Sequence, residues 1–249
     1  MTVLSSRAWC ARPAQPLDLS PDGFDLIAEV KLTSPADGPL VTDSDPQGVV
    51  VKLTQSYAKA GAVAVSVLTE PTRFDGHLEY LEAAASSVGV PVLCKDFLVD
   101  PIQVIQARAA GASGVLLIAK MMDSALLQEM TAIANEFGMF ALVEIFDERD
   151  LELASVVFGA GVLIGVNSRN LTTLEVDSTC LTALAPLLPK HLPAVAESGV
   201  RTPEDAAAAA RLGYRLALVG TALVTSSEPG VTTGTLIAAG RNAMRAGLM

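Results

Sequence analysis

The chain has little of what disulfide, metal, nucleic-acid and membrane proteins rely on. Its three cysteines, Cys10, Cys94 and Cys180, are far apart and odd in number. That spacing excludes a disulfide framework and a zinc motif, and it matches a reducing cytoplasm. Two histidines, His77 and His191, are too few for a His-based metal site. Lys and Arg total 17 against 27 Asp and Glu, a net charge of -10, with no basic run. Neither nucleic acid nor an anionic membrane surface is therefore an expected partner. No basic segment leads into an apolar one at the N-terminus, so no signal peptide is read. The apolar runs are too short and too interrupted for a membrane span. Aromatics make up 4%, with Trp9 the sole tryptophan. No heptad seam or obvious apolar patch sets an oligomeric state.

What the chain does have is alternation. Residues 1–25 carry Pro13, Pro16 and Pro21 and read as a short irregular arm rather than a helix. From Leu26 onward, short Val/Ile/Leu runs alternate with longer Ala-rich stretches of helical spacing. Strands are expected at 26–31, 63–68, 91–95, 114–119, 140–144, 162–166, 193–197 and 216–219. Helices are expected at 46–60, 78–87, 101–110, 123–137, 147–158, 178–187, 202–212 and 234–246. Gly61, Gly89, Gly111, Gly138, Gly159 and Gly213 precede the next strand, where a helix stop tolerates positive φ. Asp100-Pro101 and Thr202-Pro203 place a cap before a helical proline. Eight βα units over 26–249 predict an α/β fold, a (β/α)8 TIM barrel in one catalytic domain. A doubly wound sheet is the rival, but no Gly-x-Gly-x-x-Gly follows the first strand and no Walker loop occurs.

Active sites of such barrels sit at the C-terminal strand ends. The first strand ends with Glu29 and Lys31, two apart and so on one face. The third ends at Lys95, the fifth at Glu144, the sixth at Asn167-Ser168-Arg169, the seventh at Glu197-Ser198-Gly199 and the eighth at Gly220-Thr221. Charges are costly on buried strands. Each end alone could be a solvated terminus, whereas their convergence predicts a polar mouth suited to acid–base chemistry. If Lys95 points into this mouth, Cys94 points away and packs. The Ser198-Gly199 and Gly220-Thr221 turns lie where these barrels commonly hold phosphate. Acidic residues at 147–150 and 204–205 read as surface residues matched to helix dipoles.

At this level of detail the chain resembles the indole-3-glycerol-phosphate synthase family of tryptophan biosynthesis. The matching stretches include Ile27-Ala28-Glu29-Val30-Lys31 with Ser34-Pro35, and Ser66-Val67-Leu68-Thr69-Glu70-Pro71 with Phe74. They continue through Lys95-Asp96-Phe97, Leu142-Val143-Glu144, Asn167-Ser168-Arg169-Asn170-Leu171 and Ala196-Glu197-Ser198-Gly199.

The resemblance implies ring closure of 1-(2-carboxyphenylamino)-1-deoxyribulose 5-phosphate, with loss of CO2 and water and no metal or organic cofactor. It further implies Lys95 as general acid and Lys31 as holder of the benzoate carboxylate. Glu144 is the implied acid or base of dehydration, with Lys31 as its partner. Glu29 and Asn167 orient these groups, and Glu197 supports the developing cation or the sugar hydroxyls. Ser34, Ser198, Gly199, Gly220 and Thr221 surround the phosphate, while Phe74 and Arg169 complete the substrate site.

Two stretches depart from the family. Leu32 follows the first-strand lysine where a basic residue is usual, and Ser34-Pro35-Ala36-Asp37-Gly38 replaces the usual Ser-Pro-Ser-Lys-Gly. The N-terminal arm is also shorter than the family's helical extension. A related ring closure on a modified anthranilate or another amine-linked sugar phosphate is one alternative. A non-catalytic sugar-phosphate-binding barrel is another.

Overall fold

The computed structural model describes residues 3–21, 23–177 and 179–247, and within the first helix the side chains of Ser5 to Ala8 only. Eight parallel strands close into a barrel. They are β1 (Asp25–Val30), β2 (Ala64–Leu68), β3 (Val92–Lys95), β4 (Gly114–Ile118), β5 (Phe140–Ile145), β6 (Val162–Asn167), β7 (Ala194–Glu197) and β8 (Leu216–Val219). Closure pairs β1 with β8 from Asp25↔Leu216 to Ala28↔Val219. Every expected strand is present, with ends moved by one residue at most. The helix expected at 178–187 is seen from Thr179, since Ser178 lies outside the described residues, as do residues 1–2, 22 and 248–249.

Period-two alternation sorts the strand residues. Leu26, Ala28 and Val30 pack outward against the helices, while Ile27 packs inward with Leu93, Leu142, Val195 and Leu218. Those inward residues form an apolar plug. Counting on by two from them gives Glu29, Lys95, Glu144, Glu197 and Gly220, so the charged layer is the next storey of the same interior face. Cys94, of opposite parity, is buried among the outer contacts as expected, and burial pushes its thiol up to about 12.

The arm is not irregular throughout. Val3–Cys10 forms a helix packed against helix Pro101–Ala109, with Ala8 buried. The three prolines all follow this helix, so their helix-breaking effect is confined to the segment after Ala11. That segment crosses the end of the barrel opposite the charged layer. Leu17 and Leu19 pack on the interior cluster, and the Gln15 amide donates to Ser113 Oγ at 2.9 Å.

Of the six expected glycine stops, Gly61, Gly111, Gly138 and Gly213 have positive φ; Gly89 and Gly159 do not, and Gly161 takes that conformation instead. Asp100 and Thr202 both form capping boxes. Asp150, expected at the surface, is buried and accepts from the Phe146 amide at 2.9 Å. Among the described residues no helix is long and apolar enough to cross a membrane.

Candidate active site

A cavity of about 410 Å³ opens at the C-terminal ends of the strands. Of the catalytic candidates, Glu29, Lys31, Lys95, Asn167 and Glu197 line it. So do all of the expected substrate and phosphate residues: Ser34, Phe74, Arg169, Ser198, Gly199, Gly220 and Thr221. Glu144 is not in the lining. It sits fully buried beneath, with Lys95, Glu197 and Asn167 as its neighbours.

One side of the mouth is an ion-paired triad. Glu29 bridges Lys31 Nζ at 3.0 Å and Lys95 Nζ at 3.1 Å. Burial alone would raise the Glu29 pKa, but the two ammonium groups bring it down to about 2. Burial alone would lower Lys95, yet Glu29, Glu144 and Glu197 hold it above the usual lysine value. The sequence left that sign open, because neighbouring lysine and glutamates act in opposite directions. The surrounding carboxylates prevail, and Lys95 carries its proton.

The other side is a carboxyl pair. Burial and the adjacent Glu144 raise Glu197 well above an ordinary glutamate. Burial raises Glu144 too, against the pull of Lys95 and hydrogen bonding from Glu197 and Asn167. Glu197 is thus the member that keeps a proton and Glu144 the one that accepts it. At strict hydrogen-bond geometry neither Glu197 oxygen has a partner, so the contact is long or poorly aligned. Two adjacent buried carboxylates do not both ionise, so the pair shares a proton. Lys31, implied as Glu144's partner, is instead tied to Glu29.

Glycines make room for these groups. A Cβ at Gly165 would collide with the Glu197 carboxylate, and one at Gly220 would collide with that of Glu29. Gly220 therefore serves the triad directly, beyond any role beside phosphate.

Several polar groups assigned to substrate already have protein partners. Asn167 Oδ1 accepts from Ser198 Oγ at 2.8 Å and from the Arg169 amide at 2.9 Å, which fixes the Asn167 side chain next to Glu144. Arg169 Nη1 donates to the Leu174 carbonyl at 2.7 Å and pins the loop after β6. Ser34 Oγ donates to Asp37 Oδ2 at 3.1 Å, so its hydroxyl is held within its own hairpin. Ser198 and Gly199 both take positive φ in the turn after β7, and both line the mouth.

The sequence reading missed several lining residues and one neighbouring cation, Lys120, that lies outside the lining. Phe97 forms a tilted pair with Phe74 at 6.3 Å between ring centroids, and its two-residue offset from Lys95 was the signal for it. Leu171 and Leu174 add apolar wall from an irregular loop with no periodic signal. Lys120 Nζ stands 3.3 Å from the Phe146 ring centroid and adds positive potential at Glu144. Arg73 and Arg201 also line the cavity.

Five strand ends supplying one acid–base set, with glycine turns after β7 and β8, define a barrel enzyme built for a small anionic substrate. Comparison with known proteins narrows the class. The family model for indole-3-glycerol phosphate synthase matches residues 13–236, and the chain belongs to that family. The indole-3-glycerol phosphate synthase of Mycobacterium leprae (strain TN) is 46% identical over 237 residues, covering 94% of this chain and 85% of the relative. Indole-3-glycerol phosphate synthase 1 of Streptomyces coelicolor is 44% identical over 241 residues, covering 96% and 87%. Among solved structures, 3-hexulose-6-phosphate synthase from Salmonella typhimurium aligns with a TM-score of 0.67 at 14% identity, covering 89% of this chain and 99% of that one. That likeness is one of fold.

Proposed function

We infer that this mouth closes the indole ring of 1-(2-carboxyphenylamino)-1-deoxyribulose 5-phosphate to give indole-3-glycerol phosphate, as a carboxy-lyase of tryptophan biosynthesis. The observation that carries the reading is the lysine pair bridged by Glu29 beside a proton-holding carboxyl pair, in the barrel of this family.

The chemistry needs three proton movements. The ring carbon bearing the carboxylate attacks the C2′ ketone, and the carbonyl oxygen must gain a proton as the bond forms. Lys95, charged and held by Glu29, is the donor. Lys31 binds the benzoate carboxylate until the new bond makes its departure as CO2 favourable, and aromaticity returns. Dehydration then removes the C2′ hydroxyl as water with a proton from C1′. A protonated Glu197 and an accepting Glu144 supply an acid and a base for that step. Asn167 keeps Glu144 in place, and Phe74 with Phe97 walls the aromatic ring. Ser198, Gly199, Gly220 and Thr221 face the phosphate end. A cytoplasmic location accords with this pathway and with the sparse cysteines.

The test is direct. Purified protein mixed with the substrate should develop indole fluorescence, and Lys95→Ala should slow it by at least about 10²-fold while the protein stays folded by circular dichroism. A folded wild-type protein that yields no indole product would overturn the reading.

A further inference from the structure

The cavity is lined by five cationic side chains: Lys31, Arg73, Lys95, Arg169 and Arg201. Three are engaged. The lysines hold Glu29, and Arg169 holds the Leu174 carbonyl. Among the described residues, the guanidinium groups of Arg73 and Arg201 make no hydrogen bond or ion pair.

One carboxylate close to each in sequence, Glu70 and Asp205, is occupied elsewhere. Glu70 caps its own short helix, accepting from the Thr72 amide at 2.9 Å, the Arg73 amide at 2.7 Å and the Thr72 hydroxyl. Asp205 caps the next helix, accepting from the Arg201 and Thr202 amides, each at 2.9 Å. In both cases the carboxylate takes backbone N–H groups and leaves the arginine head free. Unpaired cations facing a cavity are notable in a chain with a net charge of -10.

Barrel order places the two arginines on opposite flanks of one region. Arg73 follows β2, in the helix Pro71–Phe74 that packs against strand Thr33–Ser34 of the hairpin after β1. Arg201 follows β7, just beyond the Ser198-Gly199 turn. Strands β1 and β8 lie between β2 and β7 in the closed sheet. The hairpin after β1 contributes a negative charge, Asp37, and ties up Ser34 with it. The cations that balance a phosphate in this region must therefore come from its flanks.

We propose that Arg73 and Arg201 are the two cations that receive the substrate's phosphate dianion, one from each flank. The proposal rests on the sugar-phosphate substrate class inferred above. Guanidinium is suited to this role because its planar fork matches phosphate oxygens and its charge does not titrate.

The experiment reads phosphate binding apart from turnover. Wild type, Arg73→Gln, Arg201→Gln and the double variant are titrated with inorganic phosphate, and in parallel with anthranilate, by the ligand-dependent rise in Tm. Each single variant should weaken phosphate about fivefold and the double variant more than about tenfold, as expected for exposed charge pairs. Anthranilate should change by less than about twofold. With the full substrate, KM should rise by similar factors at nearly constant kcat, and Arg73→Lys should recover part of the loss.

Unchanged phosphate affinity in the double variant would overturn the proposal, as would equal losses for phosphate and anthranilate. If phosphate binding falls as expected but the wild type makes no indole product, the ring-closing function fails while the arginine assignment stands.

Discussion

The two sides of the mouth hold the same kind of residue in opposite states. Glu29 and Glu197 are both buried glutamates on the interior face of the barrel. Glu29 touches two ammonium groups and is ionised far below the usual range; Glu197 faces another carboxyl and retains its proton. Burial pushes both upward, so burial does not separate them. The neighbour does: a cation within about 3 Å outweighs desolvation, and a second carboxyl adds to it. A single mouth thereby keeps a charged donor, Lys95, on one side and a carboxylic acid with its accepting partner on the other.

The largest break in this arrangement is removal of the charged donor. Lys95→Ala should lower turnover by about 10²–10⁴-fold, the usual scale of general acid catalysis, read by indole fluorescence. Glu29→Gln removes the main group that raises Lys95. Its pH–rate profile should lose activity at a lower pH on the basic side than wild type.

Glu197→Gln keeps a hydrogen-bond donor to Glu144 and removes the titration, so it acts on the pH dependence of stability. Glu197 binds its proton more tightly when folded, so its presence lowers stability as pH rises above the ordinary glutamate value of 4.5. Glu29 does the reverse, adding stability above 4.5 that is lost as pH falls toward 2. Urea unfolding from pH 4 to 8 should therefore show a flatter decline for Glu197→Gln than for wild type. Arg169→Lys, which weakens the tether to Leu174 and leaves both sides intact, should raise KM only a fewfold with little change in kcat.

Much of the site was legible because it follows strand parity. Lys95, Glu144 and Glu197 each fall two residues after an interior apolar residue, and the βα count gives the barrel end they occupy. What parity does not give is the partner. Lys31 shares a face with Glu29, yet the resemblance implied Glu144 as its partner; and the closed sheet brings Lys95 of β3 within 3.1 Å of Glu29 of β1, across β2. The same limit hid Arg73 and Arg201, which sit in non-periodic segments after β2 and β7. The helix Val3–Cys10 was masked by prolines that all lie downstream of it. Gly165 carries no local signal for its role, because the Glu197 carboxylate it makes room for comes from the neighbouring strand.

The contrast between the two glutamates is open to one direct measurement. Protein carrying ¹³C-labelled glutamate carboxyls is titrated by NMR, with Glu29→Gln and Glu197→Gln assigning the signals. The account predicts one carboxyl titrating near 2 and another still protonated well above 4.5. Two glutamates titrating together at about 4–5, as solvated carboxyls do, would contradict it.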